Sequence, residues 1–596
     1  MQYPKLRIPA ATRQTIHQFR GYVHKEHTPD GAFYDMQNMT SDHFPVLSSR
    51  PRRSVFLEKG NLQGIIAKDG LCYIDGADFF LNGEKIEGLT LFTACDGCPR
   101  KDACGKFQPG KTRCEKSLLS MGGYVLILPD KKWVQTVKTG ESYLFGDMES
   151  AFSSGGETVT VSLCKADGTA YGAIAREQPT NPQEGTLWMD TASGALKQWS
   201  QSAETWVTVE STYVRIAAIG IDKGFSQYDG ITVSGFAGTA AESLDGSAVV
   251  WQAQTDAIVV SGLVSAALTT TQNITVKRQV PEMDYATVCG NRLWGCRYGR
   301  NASGDFVNEI YCSKLGDFKN FYCFMGISTD SGVFSVGSDG PFTGAITHLD
   351  HPLFFKENML HKIYVSETGA HSITHTPCRG VQAGCGKSLA IVGEQLFYKA
   401  RSGVCVYDGS LPSEVSQDLG EQSYQNAVAG AYGNKYYISM ESGGEKALFV
   451  YDTEKRMWHK EDDLPVLAFC PWDRELYAMT EDKIYGLLGA EGAPDGRVSW
   501  WVQTGDMGIV SPDRKYLSRL TVRMALDIGA KASFYVCYNR GSVWEHIATV
   551  TGKDLQSFSV PIRPKRCDTM SLRLEGEGDV KIYAFTKTVE QGSEIS

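Results

Sequence analysis

One sequence shape returns along most of this chain and restricts its possible folds more than any other feature. A hydrophobic strand runs into a polar turn, and an aromatic strand follows. Ala427-Val428-Ala429-Gly430-Ala431-Tyr432-Gly433-Asn434-Lys435-Tyr436-Tyr437-Ile438 shows it, as does Leu467-Ala468-Phe469-Cys470-Pro471-Trp472-Asp473-Arg474-Glu475-Leu476-Tyr477-Ala478. Related stretches fall at 64–73, 122–134, 288–296, 346–355 and 390–398. The last four copies, centred near Pro352, Gly393, Gly433 and Asp473, recur about every 40 residues, the period of a four-stranded propeller blade. Tyr451-Asp452-Thr453-Glu454-Lys455-Arg456-Met457-Trp458 ends one strand on Tyr-Asp and opens the next on Trp, the aromatic spacing that packs one blade on another. The expected fold is all-β: a six- or seven-bladed β-propeller with an inserted β-domain and a C-terminal β-sandwich.

The 596 residues exceed one hydrophobic core, so several domains are expected. Residues 1–50 read as an extended arm, with prolines at 4, 9, 29, 45 and 51 opposing helix. Residues 51–139 hold the first blades, interrupted by a cysteine-rich loop at 95–114. From 140 to 280 the repeat gives way to Ser-, Thr-, Ala- and Gly-rich sequence with alternating strands, read as an inserted small β-domain. Blades resume over 281–495. In 496–596, Leu520, Val522, Met524 and Leu526 alternate with polar or small residues, and Met570, Leu572 and Leu574 do the same. Period-2 alternation marks strands with one buried face.

Net charge is −9, so the whole-molecule field does not attract nucleic acid. No apolar run reaches the ~18 residues of a membrane span, and no signal-peptide core stands at the start, so no membrane partner is expected. The cysteines are scattered and are expected to be reduced and mostly buried. Arg50, Arg52 and Arg53 form a local basic group: a solvated surface, or a weak contact with an acidic neighbour or DNA. Asp462-Asp463 reads as a solvated turn.

The sharpest chemical signal is Cys95-Asp96-Gly97-Cys98 with Cys104 and Cys114. A C-x2-C turn aims two thiolates at one point, and two further thiolates complete a tetrahedral S4 set. Zinc is the expected metal, with an iron–sulfur cluster as the alternative and four plain reduced thiols as the bland reading. His371 and His375 sit on strand-like sequence, ~13 Å apart along one face, too far to share an ion. Ser328-Thr329-Asp330-Ser331-Gly332 resembles the start of an Asp box, a turn-forming element. No nucleophile elbow, Walker loop or H-E-x-x-H is present.

The arm segment from Asp30 to Met39, then Phe44-Pro45-Val46-Leu47-Ser48-Ser49-Arg50-Pro51, resembles the start of tailed-phage virion proteins of the β-propeller tail-hub type. Gly290-Asn291-Arg292-Leu293-Trp294-Gly295 and the stretches from Pro352 to Tyr364 and Gly403 to Gly409 are similar to that group, as is the segment from Arg566 to Ile582. Gly185-Thr186-Leu187-Trp188-Met189-Asp190-Thr191, Leu196-Lys197-Gln198-Trp199 and Trp206-Val207 resemble a small hairpin module of phage tail and fibre proteins. The resemblance implies a non-enzymatic, homo-oligomeric tail hub or adaptor. It would meet the portal or connector, the tail tube or the tail fibre, in a virion assembled in the host cytoplasm. Two alternatives stand beside it. One is a glycan- or receptor-binding propeller in which Trp199, Trp206 and Trp544 stack on sugar rings; the other is a propeller glycosidase or lyase.

Overall fold

The computed structural model describes residues 11–93, 116–301, 304–365, 370–489, 493–494, 496–509 and 514–591. These are strands, turns and three single-turn 3-10 segments, with no α-helix among the described residues. Two compact bodies emerge. The first holds Met1–Leu91, Phe355–Leu360 and Thr376–Ser596; the second holds Phe92–Phe354 and His361–His375.

In the first body the 40-residue repeat becomes antiparallel four-stranded meanders. One runs Ala390–Val392, Gln395–Lys399, Val404–Tyr407, Ser413–Glu414. The next runs Gln425–Tyr432, Lys435–Ser442, Glu445–Asp452, Met457–Lys460. Another runs Leu62–Ala67, Leu71–Asp75, Asp78–Leu81, Glu84–Lys85. Their first strands neighbour one another in series through Ala468–Trp472, the arrangement of propeller blades. Contact between first strands is close: a Cβ on Gly430 would lie 2.3 Å from the Phe469 Cβ. The aromatic punctuation packs as its spacing implies. Phe397 meets Tyr436 and Tyr451 with ring centroids 5.2 and 5.8 Å apart, and Tyr451 lies 4.9 Å from Trp458. The blade of Ala468–Trp472, Glu475–Met479 and Lys483–Gly486 takes its fourth strand, Ser54–Glu58, from near the start of the chain.

The C-terminal hundred residues depart from a two-layer sandwich. Lys515–Tyr538 is one strand of 24 residues, pairing with Glu545–Val560 on one side. On the other side it pairs first with Val580–Gln591 and then with Met570–Glu577. Register shifts between Leu526 and Lys531 let this strand bend and serve both halves of one nearly closed, barrel-like sheet. The arm residues enter the same sheet. Ala11–Ile16 pairs with Val580–Gln591, Asp35–Gln37 with Ser499–Gln503, and Leu47–Ser49 with Val580–Gln591. The alternation read from sequence holds: Leu520, Val522, Met524, Leu526, Phe534, Leu572 and Leu574 are buried.

The second body holds two further meanders, opening with Ser117–Met121 and Tyr285–Cys289, and most of a third, opening with Gly344–His348. These first strands also neighbour one another in series. Between the first two meanders the chain leaves to build an eight-stranded sheet from Ser150–Ser153 to Thr275–Arg278. Its core is aliphatic, with Val161, Val214, Ile216, Ile231, Ile258 and Val276 within 1% of full burial. Asn320 of a neighbouring blade holds it: Asn320 Oδ1 accepts from the Gly230 amide at 2.9 Å and Asn320 Nδ2 donates to the Tyr228 carbonyl at 2.8 Å.

Candidate functional site: a tryptophan face on the inserted hairpin sheet

Nested inside the inserted sheet is a small one: Ile174–Ala175, Leu187–Asp190, Ala195–Ser200 and Thr205–Thr208. Its first hairpin turns on Asp190. One carboxylate oxygen accepts the Ala192 and Ser193 amides at 3.1 and 3.3 Å, the other accepts the Ser193 hydroxyl at 2.6 Å, and Gly194 supplies φ +62°. Register then sorts the side chains. Trp188 lies opposite Lys197, Lys197 opposite Thr208, and Trp199 opposite Trp206. These five share one face, because strand side chains alternate. Met189 and Leu196, on the other face, are 4% and 1% exposed and form the apolar floor.

On the tryptophan face, Trp188 and Trp206 stand 5.3 Å apart between centroids, and Trp199 and Trp206 5.4 Å apart. Interplanar angles are 65° and 66°, the edge-to-face geometry favoured by aromatic quadrupoles. All three indoles are half-buried. Lys197 Nζ lies 5.3 Å from the Trp188 centroid and 2.7 Å from an Asp190 carboxylate oxygen. The Lys197 and Ser193 hydrogen bonds hold the Asp190 carboxyl well below the usual carboxylate range. The Trp199 indole N–H donates to Gln201 Oε1 at 3.3 Å.

Two readings compete for these rings. Cross-strand tryptophan pairs stabilise small sheets by about 0.5–1.5 kcal/mol each beyond their area. They also form a stacking surface for a ligand ring. The floor of Met189 and Leu196 already supplies a buried face, and three large half-exposed indoles on the opposite face exceed what a four-stranded sheet needs to fold. Trp544, the third sequence candidate, sits half-buried in the turn before Glu545–Val560 in the other body.

The other sequence candidates separate clearly. Cys95, Cys98, Cys104 and Cys114 lie outside the described residues. The stem of their loop is pinned: Asp130 accepts the Phe92 amide at 2.7 Å and the fully buried Lys116 ammonium at 2.6 Å. The twelve described cysteines are all free and ten are buried; burial pushes Cys72 and Cys470 up to about 12, far from reactive thiolates.

His371 and His375 share a strand, as expected, yet His375 has a partner that sequence reading missed. Its Nδ1 lies 2.7 Å from Nδ1 of His361, a fully buried residue fourteen positions earlier whose Nε2 meets Ser338 Oγ at 2.9 Å. Only strand pairing brings them together. Asp330 is a turn-former: one of its carboxylate oxygens accepts the Met325, Gly326 and Ile327 amides.

Arg50 and Arg53 correct the sequence reading. They are 6% and 4% exposed, not a solvated or DNA-facing group. Arg53 donates to Asp462 at 2.5 and 2.9 Å and to Glu461 at 2.8 Å, while Arg50 Nε donates to Asn38 at 2.8 Å. Asp462 is therefore no solvated turn residue. Burial alone would raise its carboxyl, but the Arg53 charge and hydrogen bonds outweigh that and hold it low. Arg52 remains exposed and lines a 720 Å³ groove with Arg497, Asp527, Asp554 and Asp579. Cations and acids offset one another there, and no aromatic ring lines it.

No family model and no curated protein matches the chain. Solved structures do. An exo-β-1,3-galactanase from Phanerochaete chrysosporium with galactose matches at 8% identity and TM-score 0.20, over 50% of this chain and 95% of that one. A family 43 arabinoxylan arabinofuranohydrolase from Bacillus subtilis in complex with cellotetraose matches at 8% and 0.16, over 52% and 95%. A Pyrococcus horikoshii acylaminoacyl peptidase matches at 11% and 0.25, over 52% of this chain and 55% of its own length. These scores carry no substrate or catalytic residue across. The expectation of a non-enzymatic phage tail hub finds no support among them: all three are hydrolases, and none is a virion protein.

Proposed function

We propose that this chain is a saccharide-binding β-propeller protein whose ligand stacks on Trp188, Trp199 and Trp206. The observation that carries this is the aromatic face itself. Three indoles are gathered by register on the side of a small sheet opposite its apolar floor, with polar neighbours Lys197, Thr208 and Gln201. Sugar rings pair an apolar face with a hydroxyl rim, and such a surface meets both demands. In this reading each repeat meander is one propeller blade, with Ser54–Glu58 completing the blade that opens at Ala468–Trp472. The segments resembling tailed-phage proteins then belong to a receptor-binding tail protein that recognises a surface glycan.

The seven first strands carry neither Asp nor Glu, so a hydrolytic carboxylate pair would have to come from loops. The test is a glycan array probed with the full chain and with a Trp188→Ala/Trp206→Ala double variant, the bound glycans then being assayed for cleavage. Glycan capture by the parent chain and its loss in the variant is the expected result. Equal capture by both would remove the tryptophan face from the function.

A further inference from the structure

We infer that the tryptophan face selects uncharged, soluble polysaccharide chains and rejects both anionic glycans and flat crystalline ones. This rests on the saccharide-binding reading above. Two independent features of the face lead to it.

The first is charge. Residues 174–210 carry five carboxylates, Glu177, Glu184, Asp190, Glu204 and Glu210, against two cations, Arg176 and Lys197. The one cation on the face is already engaged. Lys197 is 2.7 Å from Asp190 and lies over the Trp188 ring, with a quarter of its side chain exposed. Asp190 is in turn fixed by the Ser193 hydroxyl and two turn amides, so a ligand anion would have to compete with a preorganised carboxylate for Lys197. The Glu184 carboxylate accepts the Gln201 amide beside Trp199. A uronate, sulfate or sialate on these rings would approach the Asp190 and Glu184 carboxylates, with its natural counter-charge already paired. A neutral ring meets no such repulsion.

The second is shape. Trp188 and Trp199 each meet Trp206 near 65°, so the three indoles do not lie in one plane. The flat face of a crystalline polysaccharide contacts coplanar rings together and would reach only part of this set. A single chain free in solution turns from one indole to the next. The rim offers the Thr208 hydroxyl and the side-chain amide of Gln201, neutral dipoles suited to hydroxyl groups.

The test uses the full chain against three probe classes: neutral soluble laminarin, xyloglucan and galactomannan; anionic heparin and polygalacturonate; and microcrystalline cellulose. At least one neutral soluble probe should bind. Its affinity should fall about tenfold or more in Trp206→Ala, as expected for losing a stacked aromatic. It should hold steady between about 0.05 and 0.5 M salt, since no ion pair forms with the ligand. Trp206→Phe keeps an aromatic ring and should retain most of the binding, which separates lost stacking from a collapsed sheet. Trp206-dependent capture of heparin, polygalacturonate or cellulose would overturn the selectivity while leaving saccharide binding intact. Neutral binding unchanged in Trp206→Ala would remove this face as its cause. Failure of every probe would overturn the saccharide reading itself.

Discussion

Arg53 shows what a single buried charge demands of its surroundings. Its guanidinium is shared between Glu461 and Asp462, and removing one side of such a pair strands the other without water. Arg53→Met is expected to cost about 3–5 kcal/mol, read from urea unfolding of the first body. A triple variant that combines Arg53→Met with Glu461→Leu and Asp462→Leu should be milder, because no charge remains unpaired. His459 makes the complementary case. It is 2% exposed, and burial, reinforced by the Lys435 charge, pushes it down to about 3. Unfolded, it takes up a proton near its ordinary ~6.5. Between those values only the unfolded chain carries that proton, so stability rises with pH there. His459 costs nothing above about 6.5, and stability is lost progressively as pH falls toward about 3. His459→Gln should flatten that part of a pH–stability curve. An unchanged slope would place the acid sensitivity elsewhere.

At the scale of strands and loops, close approach decides which substitutions are tolerated. Gly430 lies where a Cβ would meet the Phe469 side chain at 2.3 Å, so Gly430→Val must push two neighbouring blades apart. Overpacking of this kind costs about 1–3 kcal/mol, measurable as a lower denaturation midpoint. The cysteine-rich loop behaves oppositely. Its stem is held by Asp130 through Phe92 and Lys116, so the blade strands do not depend on what lies between. Replacing 95–114 with a short Gly-Ser link should leave the melting transition nearly unchanged. Elemental analysis of the parent chain purified without chelator is expected to find zinc, or iron in the alternative, and the shortened chain should lack it. Metal below about a tenth of an equivalent in the parent would mean plain thiols at Cys95, Cys98, Cys104 and Cys114.

Across the first body, the beginning of the chain is needed by its end. Ala11–Ile16, Asp35–Gln37 and Leu47–Ser49 fill places in the nine-stranded C-terminal sheet, and Ser54–Glu58 completes a blade. Deleting residues 1–58 exposes unpaired edges in both. The shortened chain is expected to aggregate or to lose protease resistance across 496–591. Adding residues 1–58 as a separate peptide should restore part of that resistance, if lost strand pairing is the cause.

The repeat of hydrophobic strand, polar turn and aromatic strand determined the blades by itself. Each meander pairs strands adjacent in sequence, so local pattern and tertiary pairing agree. The same locality made the Gly185–Trp206 hairpins readable, and period-2 alternation marked the buried faces of Lys515–Tyr538. Long-range pairing was invisible. Nothing near Arg50 or Arg53 announces Glu461 and Asp462 some four hundred residues on, so a buried network read as a solvated surface. The arm read only as extended, its partners hidden near the other end of the chain, and His361 meets His375 only because two strands pair. The tryptophan face falls between these cases. The residues are plain in the sequence, but register alone placed Trp188, Trp199 and Trp206 on one side, where a shift of a single residue would have sent one of them into the floor.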